Sequence, residues 1–216
     1  MAEGIIRHPS VRDRDIDALV DIYTECFPDR TEEVFGGVHR RTFIADYLRF
    51  YLSWDPENNW VYGLDEKILG FVIGPCRDMR AGTIFVHCQV LRWLWHFATG
   101  RYGLPLHIVK LYLESGIAFN RDPAIRRLWG RPYIHIFAVT PSAQGMGIGS
   151  TLIQWTLDQY RKRGVDFCWL VVQGKNQRGF KFYERFGFRF HEKIANGDVI
   201  MVWRDVHEAK GHCQRR

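Results

Sequence analysis

The sequence predicts one domain of the α/β class (α+β type), a mixed and mostly antiparallel central sheet flanked by helices. Three observations carry that expectation. Helix-period stretches and short apolar runs alternate along the chain. No internal repeat or low-complexity linker divides it. And 216 residues, 46% hydrophobic and 25% charged, are enough for one well-buried core. The chain 1–216 is therefore read as a single domain, its core over about 4–206, with a helical segment inserted at about 77–131.

In order, "GIIRH" reads as a short strand. Asp13 is placed to cap the helix that follows, where Ile16, Leu19, Val20 and Tyr23 recur at helical spacing. "RRTFIADYLRFYLSW" is a second helix, and "NWVYGLDEKILGFVIG" is a hairpin around an acidic turn. Within 77–131, two helices are expected, near Cys88 to Ala98 and Pro105 to Phe119, separated by "TGRYG". "YIHIFAVT" is a strand, followed by a glycine turn and a helix from about Ile148 to Lys162. "DFCWLVVQ" is a buried strand by its continuous apolar run. "NQRGFKFYERFG" is a short helix closed by Gly187, and "FRFHEKI" with "DVIMVWRD" forms a last hairpin around Asn196-Gly197.

Composition narrows the function classes. No apolar run reaches the roughly 18 residues of a membrane span. The start, "MAEGIIRHPSVRDRD", lacks a secretory pattern, and five cysteines (Cys26, Cys76, Cys88, Cys168, Cys213) show no CxxC spacing. Buried thiols and a cytoplasmic location are expected, with no metal site. The net charge of +6 lies within Arg77–Arg131, where nine Lys/Arg face three acids. Nothing beyond that charge points to nucleic acid.

The stretch "AVTPSAQGMGIGSTL" carries the chemistry. Gly145, Gly147 and Gly149 follow a strand and open a helix, where unpaired N–H groups and the helix dipole favour an anion. A Walker loop needs Gly-Lys-Ser/Thr, and Gly149 is followed by Ser150-Thr151. A Rossmann fingerprint needs GxGxxG in an early βαβ unit, and this GxGxG comes late. A tight turn that simply requires glycine stands beside the anion-binding reading.

From Gln144 to Gly149 the pattern is Q-x-x-G-x-G, and about thirty residues on comes "NQRGFKFYERFGF". With both motifs in this order, the chain resembles the GNAT superfamily of acyl-CoA-dependent N-acetyltransferases over roughly three quarters of its length. The resemblance implies that acetyl-CoA is co-substrate. The amides of Gln144, Gly145, Met146, Gly147, Ile148 and Gly149, with Ser150 nearby, would cradle its pyrophosphate. Pantetheine would lie between two splayed strands, pairing with the backbone of Phe137, Ala138 and Val139, with Asn176 bonding the arm and Gly179 and Phe182 beside it. Gly179 departs from the family's frequent alanine, and contact with the cofactor is one reason for it.

An amine of pKa about 10 must lose a proton before it attacks a thioester. By resemblance Tyr183 is the acid that serves the departing sulfur. Against this, Gly179, Phe182, Tyr183 and Phe186 form an ordinary core stripe. His135 is the base candidate, and its spacing to Gln144 is similar to that in arylalkylamine N-acetyltransferase. A half-buried histidine bonded to a carbonyl is the alternative. Tyr133, His135 and Phe137 alternate, so they are expected on one face, and Tyr133 stands where many members carry an acid. No cysteine lies in a nucleophile setting, and His87, His96 and His107 show no ligand spacing.

The first helix of the inserted segment is apolar nearly all round, with Val90, Trp93, Leu94 and Phe97 on one side and Leu91 and Trp95 on the other. It either packs on the core beside the acceptor pocket or presents a Trp- and Arg-bearing surface to a membrane or acyl carrier. The expected activity is acetyl transfer to a primary amine of a small molecule or a protein. The alternatives are a longer-chain acyltransferase at a membrane or carrier protein and a non-catalytic coenzyme A sensor. Related folds often pair as homodimers.

Overall fold

The apolar runs resolve into strands and the helix-period stretches into helices that cover them. The computed structural model describes residues 4–28, 40–76, 83–102 and 121–205. In chain order its elements are β1 (Ile5–Arg7), α1 (Asp13–Cys26), α2 (Arg40–Trp54), β2 (Asn59–Leu64), β3 (Lys67–Ile73), α3 (Thr83–Ala98) and α4 (Pro123–Leu128). They continue with β4 (Tyr133–Ile134), β5 (Ile136–Val139), α5 (Ile148–Lys162), β6 (Phe167–Val172), α6 (Gln177–Arg185), β7 (Arg189–Lys193) and β8 (Val199–Arg204). The helix expected near Pro105 to Phe119 lies outside the described residues.

Two four-stranded sheets run in the orders β1-β2-β3-β5 and β4-β6-β8-β7. Only β4 and β6 are parallel; every other pair is antiparallel. The β2–β3 hairpin turns through Asp65 and Glu66, both left-handed (φ 47° and 63°), which matches the twist of the flanking strands.

Apolar periodicity fixes which face each helix buries. α1 and α2 pack Ile16, Leu19, Phe43 and Leu48 against Val61, Phe71, Ile136 and Ala138. On the other side α5 packs Leu152, Leu157 and Tyr160 against Trp60, Val72 and Leu170. Asp13 does not cap α1, because it is already the first helical residue and Arg12 precedes it in extended conformation. Its carboxylate instead accepts from Arg49 of α2 at 2.7 Å. The acid that ties β1 to α1 is Asp15. It takes both Arg7 guanidinium nitrogens (2.6 and 2.9 Å) and the Ser10 N–H (2.7 Å). The Arg7 bond holds this carboxyl below its ordinary range, against the opposing effect of burial.

α3 packs on α2 through Trp93 and Phe97, whose rings lie 6.2 and 5.4 Å from Phe43. Beneath them, buried Asp46 accepts the Tyr102 hydroxyl at 2.9 Å and lies 3.2 Å from His96 Nδ1. That histidine, a lone residue in the sequence, is thus part of the α2–α3 seam. Leu94 does not join Trp93 and Phe97: it is exposed with Leu91 and Trp95, because the contact with α2 is narrower than the helix's apolar surface.

Candidate active site

Two neighbouring strands come apart at His135. β4 pairs with β6, Tyr133 against Trp169 and Ile134 against Leu170. β5 pairs with β3 alone in the first sheet, Ile136 through Val139 against Ile73 through Gly70. The His135 N–H donates to the Ile73 carbonyl at 2.8 Å, while Ile136 is also aligned with Ile73. Two residues opposing one is a β-bulge, and it shifts the side-chain alternation by one place. Tyr133 and His135 stay together, with ring centroids 5.4 Å apart. His135 faces Tyr47 and Tyr51 of α2, whereas Phe137 turns to α6, against Phe182 (5.6 Å) and Tyr183 (6.0 Å). The expected single face for Tyr133, His135 and Phe137 is therefore split, and the bulge is the reason.

Beyond the fork, β5 offers an open edge. Thr140 donates to Leu69 at 2.9 Å, which marks 140/69 as a hydrogen-bonded pair. By alternation Ala138 bonds toward β3, and the N–H and C=O of Phe137 and Val139 point away from it. The Val139 carbonyl is already engaged, by Gln144 Nε2 at 3.1 Å and the Cys26 thiol at 3.2 Å.

The glycine turn follows. Gly145 (φ 89°) and Gly147 (φ 83°) are left-handed, a conformation in which any Cβ is strained. Gly149 is not. A Cβ there would make ordinary contacts with Phe182 and Phe137, at 3.5 and 3.7 Å. Within the turn, the N–H of Gln144 bonds Pro141 and that of Met146 bonds Ala143. Among the described residues, the N–H groups of Gly145, Gly147, Ile148, Gly149 and Ser150 make no hydrogen bond. These five amides, four of them consecutive from Gly147 to Ser150, sit at the positive end of a 15-residue helix and form an anion nest. Gln144 and Met146 help shape it rather than donate to it.

α6 closes the other wall. Asn176 caps this helix, its Oδ1 accepting from Gly179 N–H at 2.8 Å. The capping amide also explains Gly179, since a Cβ there would fall 2.7 Å from Asn176 Nδ2 and 2.9 Å from its Cγ. No cofactor contact is required. Arg178 donates to Gln144 Oε1 at 3.1 Å and so joins the two sequence motifs beside the nest.

Tyr183 packs among Phe137, Phe182 and Phe188, and burial lifts its hydroxyl well above the ordinary phenol range. Tyr133 stacks on Trp169 at 5.2 Å and is raised likewise by burial. Neither ionises near neutrality, so both are hydrogen-bond donors rather than bases. Burial also pushes the Cys26 thiol up to about 11 and Cys76 up to about 12, which keeps both protonated.

Sequence reasoning missed Tyr47 and Tyr51, whose only signal was their spacing of four within an apolar helix. It also missed Arg178 as the link between the motifs.

The site is thus an open strand edge, among the described residues, beside a set of unbonded amides at a helix N-terminus. Residues 16–188 match the model of the acetyltransferase (GNAT) family, and the chain belongs to that family. It is 38% identical over 93 residues to the mycothiol acetyltransferase of Rhodococcus jostii (strain RHA1), a match covering 43% of this chain and 27% of that protein. It is 39% identical over 51 residues to the [ribosomal protein bS18]-alanine N-acetyltransferase of Escherichia coli (strain K12), covering 24% and 34%. The matches thus span about a quarter to a third of these relatives' lengths. In fold, the chain resembles the PaiA N-acetyltransferase of Thermoplasma acidophilum in complex with coenzyme A. There the TM-score is 0.57 and the identity 15%, over 94% of this chain and 99% of that one.

Proposed function

We propose that this chain transfers an acetyl group from acetyl-CoA to a primary amine, by direct attack within a ternary complex. The observation that carries the reading is the set of five unbonded amides between Gly145 and Ser150, interrupted only by Met146, beside a strand edge that has no partner among the described residues past the fork. Those amides fit a pyrophosphate, with Arg178 adding a positive charge nearby. The Phe137 and Val139 N–H groups bond the pantetheine arm and polarise the thioester carbonyl. Asn176, whose Oδ1 is engaged in capping, offers its Nδ2 to the same arm.

Tyr183 donates a hydrogen bond to the departing sulfur. With its hydroxyl raised above the thiol range of about 8.5, it steadies the thiolate without becoming a phenolate. His135 accepts the acceptor's proton, with Tyr133 packed at its edge. The raised thiols support direct attack over an acyl-cysteine intermediate.

The names of the relatives point to two acceptor kinds, mycothiol chemistry and the alanine of a ribosomal protein. A second reading, longer-chain acyl transfer at a membrane or acyl carrier, is favoured by exposed Leu91, Leu94 and Trp95 in the segment that holds the charge excess. Among the described residues, no helix is long and apolar enough to cross a membrane.

Calorimetric titration with acetyl-CoA and, in parallel, octanoyl-CoA tests this. Binding of acetyl-CoA alone, with thiol release on an amine panel, is the expected outcome. Preference for octanoyl-CoA favours the second reading. If neither binds, the nest is only a turn.

A further inference from the structure

The imidazole of His135 is held by an element that contributes nothing to the glycine nest. Its Nε2 lies 2.7 Å from the Tyr47 hydroxyl. The Tyr51 ring stacks on it, with centroids 3.9 Å apart and planes 30° apart. Tyr47 and Tyr51 are four residues apart on one face of α2, and Tyr133 closes the edge of the ring from its own strand. The titratable groups facing His135 thus include Tyr47 and Tyr51 from α2 and Tyr133 from β4, while β3 supplies the Ile73 carbonyl to its backbone. Tyr47 and His135 are both only half-buried, so the pair reaches the surface of the cleft.

We propose that Tyr47 is a catalytic proton relay to His135: its hydroxyl donates to His135 Nε2 and passes the acceptor amine's proton to that nitrogen. This rests on the reading of His135 as the base. A phenol hydroxyl is donor and acceptor at once. As an N–H bond of the acceptor ammonium breaks, its proton joins Tyr47 Oη, and the Tyr47 hydrogen moves to the Nε2 lone pair. Tyr47 stays neutral throughout and His135 becomes imidazolium. The freed nitrogen pair bonds the thioester carbon, and the C–S pair leaves on sulfur. The imidazolium then releases its proton to solvent, and the second proton, lost from the nitrogen of the tetrahedral adduct, ends on sulfur as the thiol departs.

The test uses the whole chain and three forms: wild type, Tyr47→Phe and His135→Gln. The His135 imidazole is titrated by two-dimensional NMR, assigned by its loss in His135→Gln. Thiol release from acetyl-CoA is followed against pH with glucosamine 6-phosphate, spermidine and an alanine-initiated peptide as probe amines. In Tyr47→Phe the imidazole titration is expected at higher pH, because a donor to the neutral ring is gone. The acid limb of turnover moves with it, and kcat falls about tenfold or more at unchanged KM for acetyl-CoA. An imidazole titration that stays put, or moves to lower pH, overturns the proposal whether or not any probe amine reacts. So does a Tyr47→Phe enzyme with wild-type turnover while His135→Gln is inactive. Full turnover in His135→Gln instead sinks the base reading itself.

Discussion

The turn from Gln144 to Ser150 and the wall around His135 belong to one stretch of chain, yet they are built in opposite ways. The turn works through backbone amides near one another in sequence, and it requires glycine at Gly145 and Gly147. The wall works through side chains 84 to 88 residues apart in sequence, Tyr47 and Tyr51 against His135. The first is local and depends on backbone conformation; the second is long-range and depends on how α2 packs. Changes in the turn should therefore weaken coenzyme A binding, and changes in the wall should impair chemistry or stability while sparing it.

The largest effect is expected at Gly147. Gly147→Val places a branched side chain at φ 83°, at the mouth of the nest. Acetyl-CoA affinity should fall about 100-fold, roughly 2.7 kcal/mol, as read by calorimetry. An unchanged Kd would break the comparison, because the amides would not be the binding site. Next comes Asp46, the buried acceptor behind the wall. Asp46→Ala removes the acceptor that Tyr102 and His96 share, leaving them bonded to each other, and should lower urea stability by about 1–2.5 kcal/mol. Any coenzyme A binding measured on the folded fraction should be normal.

Tyr183→Phe removes one hydroxyl from an aromatic cluster and keeps the ring. The expected loss is about tenfold in kcat with Kd for acetyl-CoA unchanged. Full activity would return Tyr183 to the core stripe. A smaller effect concerns acid stability. The Asp15 carboxyl is held low by Arg7 and the Ser10 amide, so its contribution is complete above the unfolded value of about 3.9. It is lost as pH falls through the lower folded value. Asp15→Asn should cost about 1–2 kcal/mol at neutral pH, discounted for a guanidinium that is 46% exposed, and flatten the acid limb of urea stability. The smallest is Gly179→Ala. The gain in helix propensity of about 1 kcal/mol is offset by displacing the Asn176 cap. The melting temperature should hardly move, and a few-fold change in acetyl-CoA affinity would show that the Asn176 amide matters.

What could be read in advance follows the same division. The helix Ile148–Lys162 is legible to its ends and the strand Phe167–Val172 to within one residue at each end, because a glycine turn and a continuous apolar run mark them locally. The nest was legible as a place, but not which amides it leaves open, since that depends on Gln144 and Met146 being used inside the turn. Asp13 looked like a cap because residue type alone cannot say where a helix takes its first turn. Gly179 suggested a ligand contact, whereas its neighbour Asn176 fills the space. Leu94 was placed with Trp93 and Phe97, although periodicity does not say how wide a neighbouring helix is.

The sequence by itself determined the order of elements, the family pattern and the place of the glycine turn, because each depends on residues near one another in the chain. The tertiary structure alone decided which way His135 points. One extra residue opposite Ile73 shifts the strand's alternation, and no local pattern records it. That bulge turns His135 toward α2 and Phe137 toward α6, so the tyrosine wall and the α6 aromatic cluster fall on opposite sides of one strand.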